Sequence, residues 1–393
     1  VIFQTLDDKA ECVGVYCDGE LSFNEMPTNL SKTWNYSNFL HNHDVEYASI
    51  YCLGKSLTEV CPSHLVGEWE YVSNRLKAFL RANRLAKVNL ADNCFFDVTP
   101  ERFMKEFCQI KNEICEWVFS KYDRPENYDH LLSVQKVLSE MKYQKLNLDV
   151  KPLRAYWADS RAKKLYKQYV SSDAFCDYNL HGSITGRLST HKGSFPLLNL
   201  KKEYREIIVP NNDFFIELDY NAAEARVVLS LLGIEQPDID IHEHHATNLY
   251  KCSRSDAKKR FFAWLYNPNS EDKISSGQYD RDLLLSRHRT GDSIETLFKR
   301  KIKCDDFHAF NYLIQSTCAD MVLDRMVAIH DMLKGRKSCV AFTLHDSIIL
   351  DFSSDDKELI KSIVEEYRNT ELGTFRTTVS AGKDLYNLKL INI

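Results

Sequence analysis

Phe214-Phe215-Ile216-Glu217-Leu218-Asp219-Tyr220 is an apolar run broken by two acids, and it leads into the helix-like run Asn221 to Leu232. Apolar strand followed by helix is the local reading. Taken alone, an acid at a strand end is most often a helix cap. A second stretch narrows the choice. In Val340-Ala341-Phe342-Thr343-Leu344-His345-Asp346-Ser347-Ile348-Ile349-Leu350 a polar trio interrupts two strongly apolar strand halves, and burying such groups is costly without partners. Phosphoryl transfer by two divalent ions gives these acids a purpose. Each ion needs hard oxygen ligands, and the pair must clamp the attacking and leaving oxygens together. Asp219 and Asp346 are the candidates for that bridge.

Between these stretches Arg254, Lys258, Phe262 and Tyr266 recur every four residues, which on a helix drifts only about 40° per step. They share one face. Two cations lie near the helix N-terminus, where free N–H groups and the dipole also favour anions, and two rings follow. A nucleoside triphosphate fits that face end to end. The alternative is an amphipathic helix with core aromatics and solvated cations.

Leu218-Asp219-Tyr220-Asn221-Ala222-Ala223-Glu224-Ala225-Arg226 resembles motif A of family A (Pol I-like) DNA polymerases. The other motifs follow in order. Arg254-x3-Lys258-x3-Phe262-x3-Tyr266 resembles motif B, and His345-Asp346-Ser347 resembles the His-Asp-Glu of motif C. Thr185-Gly186-Arg187-Leu188-Ser189 is similar to the primer-template segment ahead of motif A. Ala309-Phe310-Asn311-Tyr312-Leu313-Ile314-Gln315 and Gly382-Lys383-Asp384-Leu385-Tyr386 resemble later landmarks. The match covers residues 173 to 393, and the ordered set outweighs any single motif.

The resemblance implies DNA-templated addition of deoxynucleotides to a primer 3′ end. It implies two Mg2+ ions, for which Mn2+ substitutes, held by Asp219, Asp346 and the Tyr220 carbonyl. Arg254, Lys258 and His242 would take the triphosphate, with Lys258 also the proton donor, and Phe262 and Tyr266 would face the base. Glu224 would close the space that a ribose 2′ hydroxyl needs. Arg187, Asn199, Asn311, Gln315 and His345 would hold the primer-template. His242, His244 and His245 also resemble a metal cluster, but no cysteine or acid spacing completes a zinc shell.

This sequence departs from the family at three places: Asn267 follows Tyr266 where Gly is usual, Ser347 stands where motif C has Glu, and Phe262 stands where some relatives have Tyr. The short stretch from Tyr266 to Thr296 is similar to the compact fingers of bacteriophage polymerases. At the N-terminus the family usually carries a 3′–5′ exonuclease whose first strand ends Asp-x-Glu. Here Val1-Ile2-Phe3 leads to Gln4-Thr5-Leu6, so a degenerate, ribonuclease-H-like exonuclease domain without proofreading is expected. A chain opening on Val rather than Met leaves room for a segment upstream.

The rest of the chain fits an α+β multidomain protein with a right-hand architecture. The exonuclease-like domain is expected over 1–125, a thumb over 126–172, and a palm over 173–393 with fingers inserted at about 241–310. In the first domain, strands are expected over Cys12 to Tyr16, Leu21 to Phe23 and Tyr47 to Leu53, with a hairpin turn at Asp18-Gly19. Helices are expected at about 64–83 and 100–121, the latter from Phe103, Phe107, Ile110, Ile114 and Val118.

Composition excludes little. The net charge is −5, which is unusual for a DNA-binding protein, yet the distribution matters more than the sum. Residues 1–60 hold nine acidic and three basic side chains, and residues 161–206 hold nine basic and four acidic ones. No run of 18 apolar residues and no leader is present, so an intracellular, cytoplasmic protein is expected, in a host cell if the source is a phage. The 12 cysteines, scattered without a C-x-x-C pair, read as reduced thiols. Expected partners are primer-template DNA, deoxynucleoside triphosphates and a processivity factor. Two rival readings remain: a single-subunit RNA polymerase, which Glu224 opposes, and a non-catalytic DNA-binding subunit that kept the fold.

Overall fold

The computed structural model describes residues 1–10, 13–23, 26–90 and 92–393, and the chain divides into two units, Val1–Tyr143 and Gln144–Ile393. In the first, β1 (Phe3–Thr5), β2 (Gly14–Cys17) and β3 (Glu20–Phe23) form an antiparallel sheet in that order. Asp18 and Gly19 both take left-handed φ at the β2–β3 turn, as an Asp-Gly hairpin requires. Cys12 lies outside the described residues.

Helices α1 (Val66–Leu85) and α2 (Glu101–Lys121) cover the expected spans. Phe103, Ile110, Ile114 and Val118 are buried, and Phe107 meets Trp69 at 5.6 Å between ring centroids. Helix α3 (Tyr128–Lys142) also belongs to this unit, and the Tyr128 hydroxyl accepts a hydrogen bond from the Tyr47 amide at 2.9 Å.

Two expectations fail here. The expected strand from Tyr47 to Leu53 keeps only Glu46–Tyr47, paired in parallel with Lys32–Thr33, and Ala48–Tyr51 is a single helical turn. A short apolar run buried on all sides carries no period to separate the two conformations. The second concerns the thiols. Among the described residues ten cysteines are free, whereas Cys94 is disulfide-bonded; scattered cysteines carry no pairing information in the sequence.

The second unit is built on a five-stranded antiparallel sheet of β4 (Phe214–Tyr220), β5 (Cys339–Leu344), β6 (Ser347–Phe352), β7 (Thr377–Gly382) and β8 (Lys389–Leu390), in the order β5-β6-β4-β7-β8. Strand β4 is therefore central, and its register sets Asp219 opposite Ser347 and Thr378. Helix α4 (Ala223–Leu232) starts after Ala222, whose φ of 55° is left-handed. Such a bend costs energy in a residue with a Cβ. Helices α5 (Arg254–Tyr266), α6 (Asp306–Met332) and α7 (Ile360–Arg368) complete the frame, with α6 packed on α4. Among the described residues no helix is long and apolar enough to cross a membrane.

Candidate active site

The two acids singled out by the sequence arrive on one strand end and on the tip of the hairpin beside it. Asp219 is next to last on β4, while Asp346 and His345 form the two-residue tip between β5 and β6, closed by the Leu344–Ser347 pair. His345 holds a φ of 57°, a conformation that histidine visits more readily than most residues. Strand alternation places Glu217 on the same face as Asp219. Burial, then Asp346, then Glu217 push the Asp219 carboxyl up to about 7, against the opposing charge of Lys258. Glu217 is also raised by burial, and it accepts a long 3.4 Å hydrogen bond from the Ser347 hydroxyl.

Helix α5 has two faces, as its spacing predicts. Phe261 and Trp264 are buried, Trp264 lying edge-on to Phe310 with ring centroids 5.7 Å apart. Arg254 and Lys258 are exposed on the other face, and Phe262 stacks on Tyr266 with centroids 5.7 Å apart and planes at 16°. Arg254 is engaged: its Nε and a terminal nitrogen bind the two oxygens of Asp240 at 3.1 and 2.7 Å. Asp240 also accepts from the Asn221 amide nitrogen at 2.7 Å and from the Glu243 backbone at 2.9 Å. Burial raises Asp240, but these donors outweigh it and hold the carboxyl well below its usual range. Behind it, Arg226 is 1% exposed and donates only to neutral oxygens of Asn221, Gln236, Pro237 and Ile239. Its guanidinium is lowered to about 10 by burial. His242 is buried 5.6 Å from the Phe262 ring, and burial lowers it to about 4.

A third cluster joins three sequence candidates. Glu224 is 6% exposed, and its two oxygens accept from Arg187 and from the Tyr266 hydroxyl. Arg187 and His345 line one cavity of about 30 Å³. On α6, Asn311 and Gln315 lie one turn apart, and the Asn311 side-chain oxygen is buried with no hydrogen-bond partner in the structure. Asn199 lies elsewhere. It is exposed beside a separate cavity of about 370 Å³ lined by Arg161, Lys164 and Lys201.

The residues present suit divalent metal ions bound together with a phosphate substrate. Asp346 and Glu217 crowd the Asp219 carboxyl, with Lys258 the opposing charge, and hard oxygen donors suit Mg2+. Among the described residues no group of three or more His, Cys, Asp or Glu side chains is placed to hold a metal.

Sequence reading missed Glu217, Asp240 and Tyr367. Glu217 was within reach, because a count of two along β4 puts it beside Asp219. Asp240 adjoins Ile241-His242, but its partner lies 14 residues away. Tyr367, whose hydroxyl meets the Asp346 carbonyl at 2.7 Å, carries no signal in the sequence.

No known family profile matches the chain. The chain is 23% identical over 245 residues to DNA polymerase I of Caldicellulosiruptor bescii, covering 47% of this chain and 28% of that protein. It is 22% identical over 275 residues to the DNA polymerase of Bacillus phage SP01, covering 50% and 30%. Each match thus spans less than a third of the relative's length. Among solved structures, the POL domain of Pol1 from M. smegmatis, in complex with DNA primer-template and dNTP, aligns with a TM-score of 0.63 at 11% identity, covering 98% of this chain and 95% of that one. The chain is therefore similar in sequence to a Pol I and a phage DNA polymerase, and it has the fold of a polymerase domain.

Proposed function

We propose that this chain is a DNA-directed DNA polymerase that adds deoxynucleotides to a primer 3′ end. The observation that carries the reading is the meeting of Asp219, near the end of β4, with Asp346, on the tip of the adjoining β5–β6 hairpin, under the charge of Lys258. The five-stranded sheet would be the palm, residues 241–310 the fingers, and residues 144–172, the part of the expected 126–172 that lies in the second unit, the thumb. Phage DNA replication is the proposed setting, and primer-template, nucleotides and a processivity factor are the proposed partners.

Asp219, Asp346 and the Tyr220 carbonyl would hold two Mg2+ ions, which when bound activate the primer hydroxyl and neutralise the leaving pyrophosphate. The chain's own residues supply position. Arg254, Lys258 and His242 orient the triphosphate, and Lys258 delivers a proton to the departing pyrophosphate oxygen. Phe262 and Tyr266 face the base and sugar, while Glu224 fills the space beside the sugar 2′ carbon. Arg187, Asn311, Gln315 and His345 hold the primer terminus and the template near it, and Asn199 contacts the duplex farther away. In-line alignment of this kind accounts for much of the rate that such sites achieve.

In the first unit Gln4 is fully buried, and its amide nitrogen donates to Asn112 at 2.9 Å and to the Cys115 sulfur at 3.2 Å. A side chain spent on helix α2 supports the reading of an exonuclease-like domain without proofreading. Metal-dependent degradation of a single strand by this chain would contradict it.

The test is primer extension on a recessed template with Mg2+ and deoxynucleotides, comparing the native chain with Asp219→Ala and Asp346→Ala. Extension by the native chain, lost by at least about a thousandfold in both variants, is expected. A native chain that binds primer-template without extending it would favour the non-catalytic subunit, and preferential use of ribonucleotides would favour an RNA polymerase.

A further inference from the structure

Two buried tyrosines tie the acid-bearing segments together from behind. Tyr220 follows Asp219 on β4, and alternation sends its ring to the opposite face of the sheet. There it stacks on Tyr367 of α7, with ring centroids 4.1 Å apart and planes at 10°. The Tyr220 hydroxyl donates to the Tyr367 backbone carbonyl at 2.5 Å, and the Tyr367 hydroxyl donates to the backbone carbonyl of Asp346 at 2.7 Å. Tyr367 is 0% exposed and Tyr220 is 2% exposed.

The brace is itself fixed. Phe375 meets the Tyr220 ring edge-on at 5.6 Å. Arg325 of α6 pins the end of α7 through the Glu366 carboxylate at 2.6 Å and the Asn369 carbonyl at 2.9 Å. Asp346 needs such an anchor because it sits on a two-residue tip, beyond the last ladder pair of β5 and β6. Its neighbour His345 already holds a left-handed φ. A tip in that position turns the carboxylate wherever the backbone turns.

We infer that Tyr367 is a positioning residue for the metal centre: its hydroxyl fixes the Asp346 peptide plane, and the stack on Tyr220 couples that plane to the Asp219 strand. The inference rests on the proposed polymerase site. Removing a group that orients a metal ligand from behind typically costs about 10–100-fold in metal affinity.

The molecule holds its own comparison. The Tyr178 hydroxyl is likewise buried and donates to the Thr343 carbonyl on the same hairpin at 2.8 Å, but it lies three residues from the acid. Native chain, Tyr367→Phe and Tyr178→Phe are compared by Mn2+ binding, read by electron paramagnetic resonance with a dideoxy-terminated primer-template and matching nucleotide. The Mg2+ concentration for half-maximal extension and Tm are measured alongside. Both variants should lose a few degrees of Tm. Only Tyr367→Phe should weaken Mn2+ binding and raise the Mg2+ requirement, each by about tenfold. Native-like metal binding in Tyr367→Phe, or equal weakening in Tyr178→Phe, overturns the inference.

Failure of the native chain to extend primers would instead fall on the polymerase reading, and Mn2+ titration of the chains alone would then decide the role of Tyr367. Should Tyr367→Phe not fold, 3,5-difluorotyrosine at position 367 keeps the ring and strengthens the donor. It should tighten Mn2+ binding, and no change would overturn the inference.

Discussion

Tyr266 donates its hydroxyl to one oxygen of Glu224 at 2.5 Å while Arg187 occupies the other, so a single buried carboxylate joins the end of α5 to the start of α4 and to the segment ahead of β4. Glu224→Ala would release both partners and open the space they enclose. On the proposed function, discrimination against ribonucleotides should fall by at least about tenfold, because a methyl group cannot exclude a hydroxyl that a carboxylate displaces. The incorporation ratio of ribo- to deoxynucleotides in single-turnover extension measures it, and an unchanged ratio would remove Glu224 from sugar selection.

Asp219→Asn should abolish extension yet stabilise the metal-free fold. Burial, Asp346 and Glu217 raise the folded carboxyl to about 7 from an ordinary 3.8. The folded state then holds more protons than the unfolded chain between those values, so this group's contribution to stability falls as pH rises through that window. The variant should melt a few degrees above the native chain at pH 8 in chelator, with a smaller gain at pH 5. A lower Tm for the variant at pH 8 would show that the acids do not repel one another.

His245 works in the opposite direction. It is 1% exposed, bonded through Nε2 to the Tyr279 hydroxyl at 2.5 Å, and lowered by burial to about 4. A histidine held neutral contributes stability that is present above its ordinary pKa and lost as pH falls from about 6.5 toward 4. Replacing it with a ring that takes no proton should reduce that loss. His245→Phe is expected to lose less Tm than the native chain between pH 7 and pH 5, and parallel melting curves would contradict the assignment.

Gly186 has a φ of 75°, and a Cβ there would lie 2.6 Å from the Arg300 guanidinium. Arg300 pairs in bidentate fashion with fully buried Asp320 on α6 at 2.8 and 2.6 Å. Gly186→Ala thus imposes backbone strain and pushes a charge off its partner. A loss of about 2–4 kcal/mol is expected from denaturant titration, together with weaker primer-template binding, since Arg187 follows directly. A loss below about 1 kcal/mol would mean that Arg300 moves freely.

Much of the site was legible because its chemistry is local. The four-residue spacing of α5 fixes which side chains share a face, and the strand patterns around Asp219 and Asp346 survive folding intact. The run from Tyr47 to Leu53 misled because full burial erases periodicity. Asp240 and Tyr367 were out of reach for another reason: each acts through a hydrogen bond across many residues, 14 to Arg254 and 21 to Asp346, and no pattern along the chain records such a meeting. The expected break near residue 125 likewise rested on a polar stretch, whereas α3 continues the first unit to Tyr143.

Asp240 gives Arg254 an occupant before any substrate arrives. If the triphosphate takes that guanidinium, the event is an exchange in which one anion displaces another. The affinity measured for a nucleotide is then a difference between two ion pairs, so a weaker internal rival would raise the affinity for matched and mismatched nucleotides alike. The resident carboxylate thereby sets a threshold that every incoming phosphate must exceed.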